Sequence, residues 1–179
     1  MRSDLLLVVL SLKKIGFLNP ETFKLLDAPP RSFFSAAIRN LEKMAAVTPE
    51  STISPLGLKM LEYPIEPFSA FCLASHFPFE PIDREDVLTL TNSENIYFST
   101  KGVDPSSPSN PMVLRQRMSV SESDHLTKLN ILHKYVETKN KRDFCQQFGL
   151  RKKVLDQVIL LREQISRIDK RLRGSRDSG

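Results

Sequence analysis

Between Lys152 and Leu172 the apolar residues Val154, Val158, Leu161, Ile165, Ile168 and Leu172 follow one another at spacings of 4, 3, 4, 3 and 4. An α-helix turns once every 3.6 residues, so this spacing gathers all six side chains into one stripe, the a/d seam of a coiled coil. A strand alternates its faces every second residue and cannot use such a pattern. The stripe is shorter than three heptads, and Leu155, Ile159 and Leu160 widen it in the first half. The spacing therefore predicts one long helix that packs against its own domain up to about Leu161 and exposes its second half.

The rest of the chain has to supply what that helix packs on, and its punctuation is mostly helical. Leu5, Val8, Val9, Leu12 and Ile15 fall at helical spacing before Gly16, a natural stop. Residues 20–26 read as a short second helix that opens at Pro20 and ends before Pro29 and Pro30. From Arg31 to about Met44, Phe34, Ala37, Ile38 and Leu41 mark a third helix. The period then changes: residues 46–48 and 51–53 around Pro49 and Glu50 read as a short hairpin, and Ser54 caps a fourth helix with Pro55 at its first position. Helices, hairpin and helix in this order describe a winged helix over residues 1–65, with a plain helical bundle as the alternative.

Tyr63–Pro67 carries two prolines that fix their own backbone angles, and it reads as a rigid link into a new unit. Residues 68–76 and 84–91 carry helical patterns, and residues 94–98 add a short apolar piece. Residues 101–111 are rich in proline and serine and read as a loop. Asp124 is a suitable cap for a helix with Leu126, Leu129, Leu132 and Val136 on a buried face and His133 at its edge. The domains expected are 1–65, a helical unit over 66–165, and a basic helix end and tail over 166–179.

Composition narrows the chemistry. At 179 residues and 40% hydrophobic, the chain can bury a core. Cys72 and Cys145 form neither a disulfide framework nor the paired spacing of a zinc site, which suits a reducing compartment. The apolar run at residues 5–10 is interrupted by Lys13 and Lys14 and lacks a cleavage site, so it reads as a buried helix; no membrane association is expected. Residues 151–179 hold nine Lys and Arg against four Asp and Glu, whereas residues 1–150 hold 17 of each. The whole net charge of +5 thus lies in the C-terminal segment. Such a segment attracts polyphosphate by counterion release, although basic residues on a solvated helix face are also ordinary.

Several motifs in order then resemble the helicase-associated region of DEAH-box RNA helicases, a winged helix followed by a ratchet-like helical domain. Ile15 and Gly16, the Asp27–Pro30 element, Ile53–Gly57 and the Pro64–Pro67 link stand where that region has similar elements. Asp124–Thr127 match the opening of its ratchet helix, with Ser123 in place of a glycine. Phe144 and Cys145 are similar to its Trp-Cys motif, and Lys153, Leu155, Arg162 and Gln164 to its closing pattern. The resemblance implies a mainly α protein, winged helix then ratchet-like bundle, in an intracellular, nuclear or nucleolar setting. It further implies contact with single-stranded RNA in support of ATP-driven unwinding by motor lobes, and a winged helix able to dock a glycine-patch activator.

Departures bound that expectation. There is no GxxxxGK[ST] phosphate loop and no acidic metal-holding motif of the DEAH type, so this chain alone is expected to bind no nucleotide cofactor and hydrolyse no ATP. About seven residues follow Leu172, too few for the family's oligonucleotide-binding domain, and the opening of the winged helix is expected to be clipped. His125 and His133 lie too far apart on one helix to share a metal, and none is expected. Asp124 reads as a cap before a base, and Cys145, between Phe144 and Phe148, as a core residue before a nucleophile. No GxSxG elbow supports hydrolase chemistry. The RNA-contacting residues expected are Arg151, Lys152 and Lys153 at the start of the last helix, and Arg115 and Arg117 at the end of the loop. A free-standing protein-interaction module is the alternative, docking an activator or a partner helix along the apolar stripe. Duplex DNA binding is disfavoured by the thin basic face of residues 31–44, whose cations are Arg31, Arg39 and Lys43.

Overall fold

The computed structural model describes residues 2–23, 29–75, 81–98, 110–121 and 123–174. Among them the protein is mainly α: α1 (Arg2–Lys14), α2 (Arg31–Lys43), α3 (Pro55–Met60), α4 (Pro67–Ala74), α5 (Pro81–Thr91), α6 (Pro111–Gln116), α7 (Asp124–Glu137), α8 (Lys141–Gln147) and α9 (Lys152–Gly174). Two compact units are present, residues 1–78 with 167–179, and residues 79–166. Helix α9 supplies residues 152–166 to the second and its remainder to the first.

In the first unit α1 packs on α2 and α4, and α3 packs on α4. Leu6, Val9, Leu10, Phe34, Leu41, Met60 and Leu73 are nearly or fully buried between them. Gly16 ends α1 at φ +95°, where its N–H bonds the Lys13 carbonyl and that of Phe17 bonds Leu12. Ala45 closes α2 by the same pair of bonds at φ +52°, a left-handed position that costs a residue with a Cβ about 1 kcal/mol. Pro20–Thr22 forms a single 3₁₀ turn and Phe23 is already extended, so no helix continues through Phe23; Lys24–Ala28 lie outside the described residues.

The expected hairpin is reduced to one isolated antiparallel bridge between Val47 and Ile53. Its turn is closed by Ser51 N–H to the Thr48 carbonyl and by a 2.8 Å bond between the Thr48 and Thr52 hydroxyls. Lys13 secures it from α1: almost fully buried, its ammonium donates to the carbonyls of Leu18 (2.9 Å) and Ser51 (2.7 Å). Burial pushes the Lys13 pKa down, and Glu42 nearby opposes that fall. Ser54 is the cap read from the sequence, accepting from Gly57 N–H at 3.0 Å and donating to the Ala45 carbonyl at 2.6 Å. Pro67 of the proline pair opens α4, capped by the Glu66 carboxylate.

In the second unit Leu90, Ile96, Leu129, Ile131, Leu132, Tyr135, Leu150, Leu155 and Val158 form the core. Three readings are corrected here. Ser123, not Asp124, caps α7, accepting from Leu126 N–H at 3.3 Å, and Asp124 is the first helical residue. Its buried face is Leu129, Ile131, Leu132 and Tyr135, whereas Leu126 and Val136 are over 40% exposed. The face turns because the Tyr135 ring enters the core while its hydroxyl donates to Asp156 at 2.6 Å. Arg115, expected at the end of the loop read over residues 101–111, lies in α6, started by the Asn110 side chain accepting from Met112 N–H with Pro111 at the first position, and residues 101–109 lie outside the described residues.

The second half of α9 is likewise not the exposed end expected. Ile165 and Ile168 are buried, and so is Asp169, whose carboxylate accepts from the Tyr63 hydroxyl at 3.0 Å. Arg171 pairs with Glu62 at 2.7 Å. Those partners lie more than a hundred positions away in the chain, beyond the reach of local periodicity.

Candidate nucleic-acid interface

The start of α9 is placed by a short antiparallel pairing. Tyr97 bridges Leu150, Phe98 N–H bonds the Gly149 carbonyl at 2.9 Å, and Arg151 N–H bonds the Ile96 carbonyl at 2.8 Å. Gly149 at φ +60° closes α8 and turns the chain into that pairing. Beside it lies a groove of about 610 Å³, lined on its basic side by Arg142, Arg151, Lys152 and Lys153. Phe98, 57% exposed, and Glu94, Gln146 and Gln157 complete the polar and aromatic lining, Glu94 being its one acid.

Three of the five expected residues are thus gathered in one place. They stand at the N-terminal end of a 23-residue helix, where the first turn carries no acid. The helix dipole disfavours cations there by a few tenths to about 1 kcal/mol each, and its unpaired N–H groups add to the positive potential. A cluster of like charge held against that gradient suits an anionic ligand. Two of the cations are partly neutralised within the unit: Arg151 lies 3.2 Å from Glu94, and Lys152 2.6 Å from Asp156. Burial raises the Asp156 pKa, but the hydrogen bonds from Lys152 and Tyr135 outweigh it and hold the carboxyl below its ordinary value. Lys153 has no ion-pair partner among the described residues.

The other two expected residues go elsewhere. Arg115 lies over the Tyr97 ring, 4.6 Å from its centroid, and donates to the Pro111 carbonyl at 3.2 Å, so half-buried packing occupies it. Burial lowers its pKa, with Tyr97 opposing. Arg117 lines a separate hollow with His133 and Lys134. Arg142 was missed in the sequence because it stands nine residues before Arg151 on a different helix, and the turn at Gly149 between α8 and α9 sets both on one groove.

Elsewhere in this unit the Asp86 carboxylate, nearly buried, is met by Arg162 Nε at 2.9 Å and His133 Nε2 at 3.3 Å. The Cys145 thiol is buried and its pKa pushed up, the opposite of an activated nucleophile. Among the described residues no group of three or more His, Cys, Asp or Glu is placed to hold a metal ion, and no helix is long and apolar enough to cross a membrane.

No protein-family profile matches this chain. It is similar to curated RNA helicases along almost its whole length. The human probable ATP-dependent RNA helicase DHX35 is 27% identical over 171 residues, which cover 93% of this chain and 24% of that protein. The human ATP-dependent RNA helicase DHX33 is 27% identical over 167 residues, 92% of this chain and 23% of its own length. In Schizosaccharomyces pombe the pre-mRNA-splicing factor ATP-dependent RNA helicase prp22 is 25% identical over 175 residues, 96% of this chain and 14% of its own. This chain therefore spans about a quarter or less of the length of these relatives. The resemblance to DEAH-box RNA helicases carried by the sequence motifs agrees with these relatives.

Proposed function

We propose that this chain is an accessory region of a DEAH-box RNA helicase that contacts single-stranded RNA through the groove at the start of α9 and supports ATP-driven unwinding by motor lobes. On this reading residues 1–65 act as a winged helix and residues 66–165 as a ratchet-like bundle. The observation that carries it is the gathering of Arg142, Arg151, Lys152 and Lys153 around one groove at a helix N-terminus. Phosphates of a single strand suit those cations, and the exposed Phe98 ring offers one base a stacking surface worth about 1–3 kcal/mol. With few groups placed to read base edges, binding is weak and indifferent to sequence. Action in the nucleus is supported by the splicing role in the name of one relative.

Fluorescence anisotropy with a labelled mixed-sequence RNA tests it. The protein should bind the single strand in preference to an RNA or DNA duplex of the same length, and Arg151→Ala/Lys152→Ala/Lys153→Ala should abolish the binding. A preference for duplex DNA, or an unaffected triple variant, would refute the assignment. A second reading, docking of a glycine-patch activator, is favoured by Ile15, Phe17 and Leu18, which stay 69%, 40% and 53% exposed just after α1. Capture of such an activator that survives nuclease treatment supports it; capture lost with the RNA does not.

A further inference from the structure

We propose that Ser119 is a phosphorylation site for an acid-directed serine/threonine kinase, and that the hollow behind it holds the phosphate. Ser119 lies exposed between α6 and α7. Its hydroxyl donates to the Gln116 carbonyl at 3.0 Å, a bond that engages the proton and not the oxygen lone pairs. The sequence sets Glu122 three positions further on and Asp124 two beyond that, the acidic pattern such kinases read. Ser121 has the same relation to Asp124, so sequence alone does not choose between the two serines.

The structure distinguishes them. Ser119 lines a hollow of about 370 Å³ together with Arg117, Asn130, His133, Lys134 and Glu137, whereas Ser121 does not line it. Among the described residues neither Arg117 nor Lys134 has an ion-pair partner. His133 is held beside Asp86 at 3.3 Å, and Glu137 is the one acid of the lining. Two cations against one exposed carboxylate favour a dianion, and a phosphate offers each of them charge-assisted bonds. In the modifying step Ser119 Oγ attacks the γ-phosphorus of ATP bound to the kinase. The bond from that phosphorus to ADP breaks, and the hydroxyl proton passes to a carboxylate of the kinase. The product staples the α6–α7 connection to the middle of α7 and neutralises Arg117 and Lys134. This inference does not rest on the RNA-binding reading.

The test uses the whole chain with a purified acid-directed kinase and ATP, followed by mass-spectrometric mapping and a phosphorus NMR titration. One phosphoryl group is expected on Ser119, lost in Ser119→Ala and retained in Ser121→Ala. The phosphoserine should titrate below its usual midpoint of about 6, by about one unit as for an anion beside cations. Arg117→Ala/Lys134→Ala should return it to the ordinary value. Absence of phosphate from Ser119 overturns the site, and a midpoint that the double substitution leaves unchanged overturns the role of the hollow.

Discussion

A single methyl group on Gly57 tests the packing of the first unit severely. A Cβ built there would lie 2.2 Å from the Ala46 carbonyl oxygen and 2.9 Å from Cγ1 of Ile53, against the 3.4 Å at which ordinary contact begins. The first obstacle is backbone, and it is not free to retreat, because the Ala46 carbonyl accepts the Ser54 N–H at 3.0 Å and Ser54 in turn caps α3. Displacing it by more than an ångström breaks that bond, for about 1 kcal/mol, and overpacks the site, for about 1–3 kcal/mol. Alanine returns about 1 kcal/mol as the better helix former. Gly57→Ala should therefore destabilise the first unit by about 2 kcal/mol, lowering its melting temperature by roughly 10 °C for a unit of this size. Circular dichroism melts and urea titrations read this directly. Gly16→Ala is the control, since nothing lies within 4 Å of its Cβ and only the positive φ resists; it should cost about 1 kcal/mol. Equal stability of Gly57→Ala and the parent would refute the close approach.

Three further outcomes are expected. Glu94→Gln and Asp156→Asn release Arg151 and Lys152 from their carboxylates, so each should strengthen single-stranded RNA binding by up to about fivefold, the upper end for an exposed pair; weaker binding in both would contradict the pairing geometry. Burial first, then the hydrogen bond to Asp156, raises the Tyr135 pKa. A folded-state pKa above the unfolded one gives stability that is complete below about pH 10 and lost as pH rises further. Urea midpoints should accordingly fall above pH 10, and Tyr135→Phe should flatten that fall. Cys72, half-buried, should alkylate before Cys145, which is buried with a raised pKa; mass spectrometry of partly labelled protein would show the reverse order if the core were misassigned.

What the chain discloses in its sequence is mostly where helices begin and end. Ser54 with Pro55, Gly16 and the 4, 3, 4, 3, 4 stripe act within a few residues of themselves, so the boundaries of α1, α3 and α9 could be read locally. The face a helix buries is set by what it meets. Tyr135 counts as half-polar in any periodic pattern, yet Asp156 satisfies its hydroxyl and lets the ring turn inward, rotating α7 away from Leu126 and Val136. Tyr63 and Glu62 do the same for the end of α9, from more than a hundred positions away. Helix α6 was hidden because Asn110 and Pro111, a cap and a first-turn residue, also belong to the composition of a loop. For the site, a run of three basic residues was legible; that Arg115 would be occupied by Tyr97, and that Arg142 would join the groove, depended on pairings the sequence does not display.

The most direct test of RNA contact at the start of α9 is the salt dependence of binding to a single strand, measured for the parent and for Lys152→Ala/Lys153→Ala. Each phosphate neutralised by a lysine contributes about 0.7 to the slope of log K against log salt for single strands. Removing both lysines should flatten the slope by about 1.4 and weaken binding at low salt. A slope that stays the same in the double variant would show that neither lysine meets a phosphate and contradict the account.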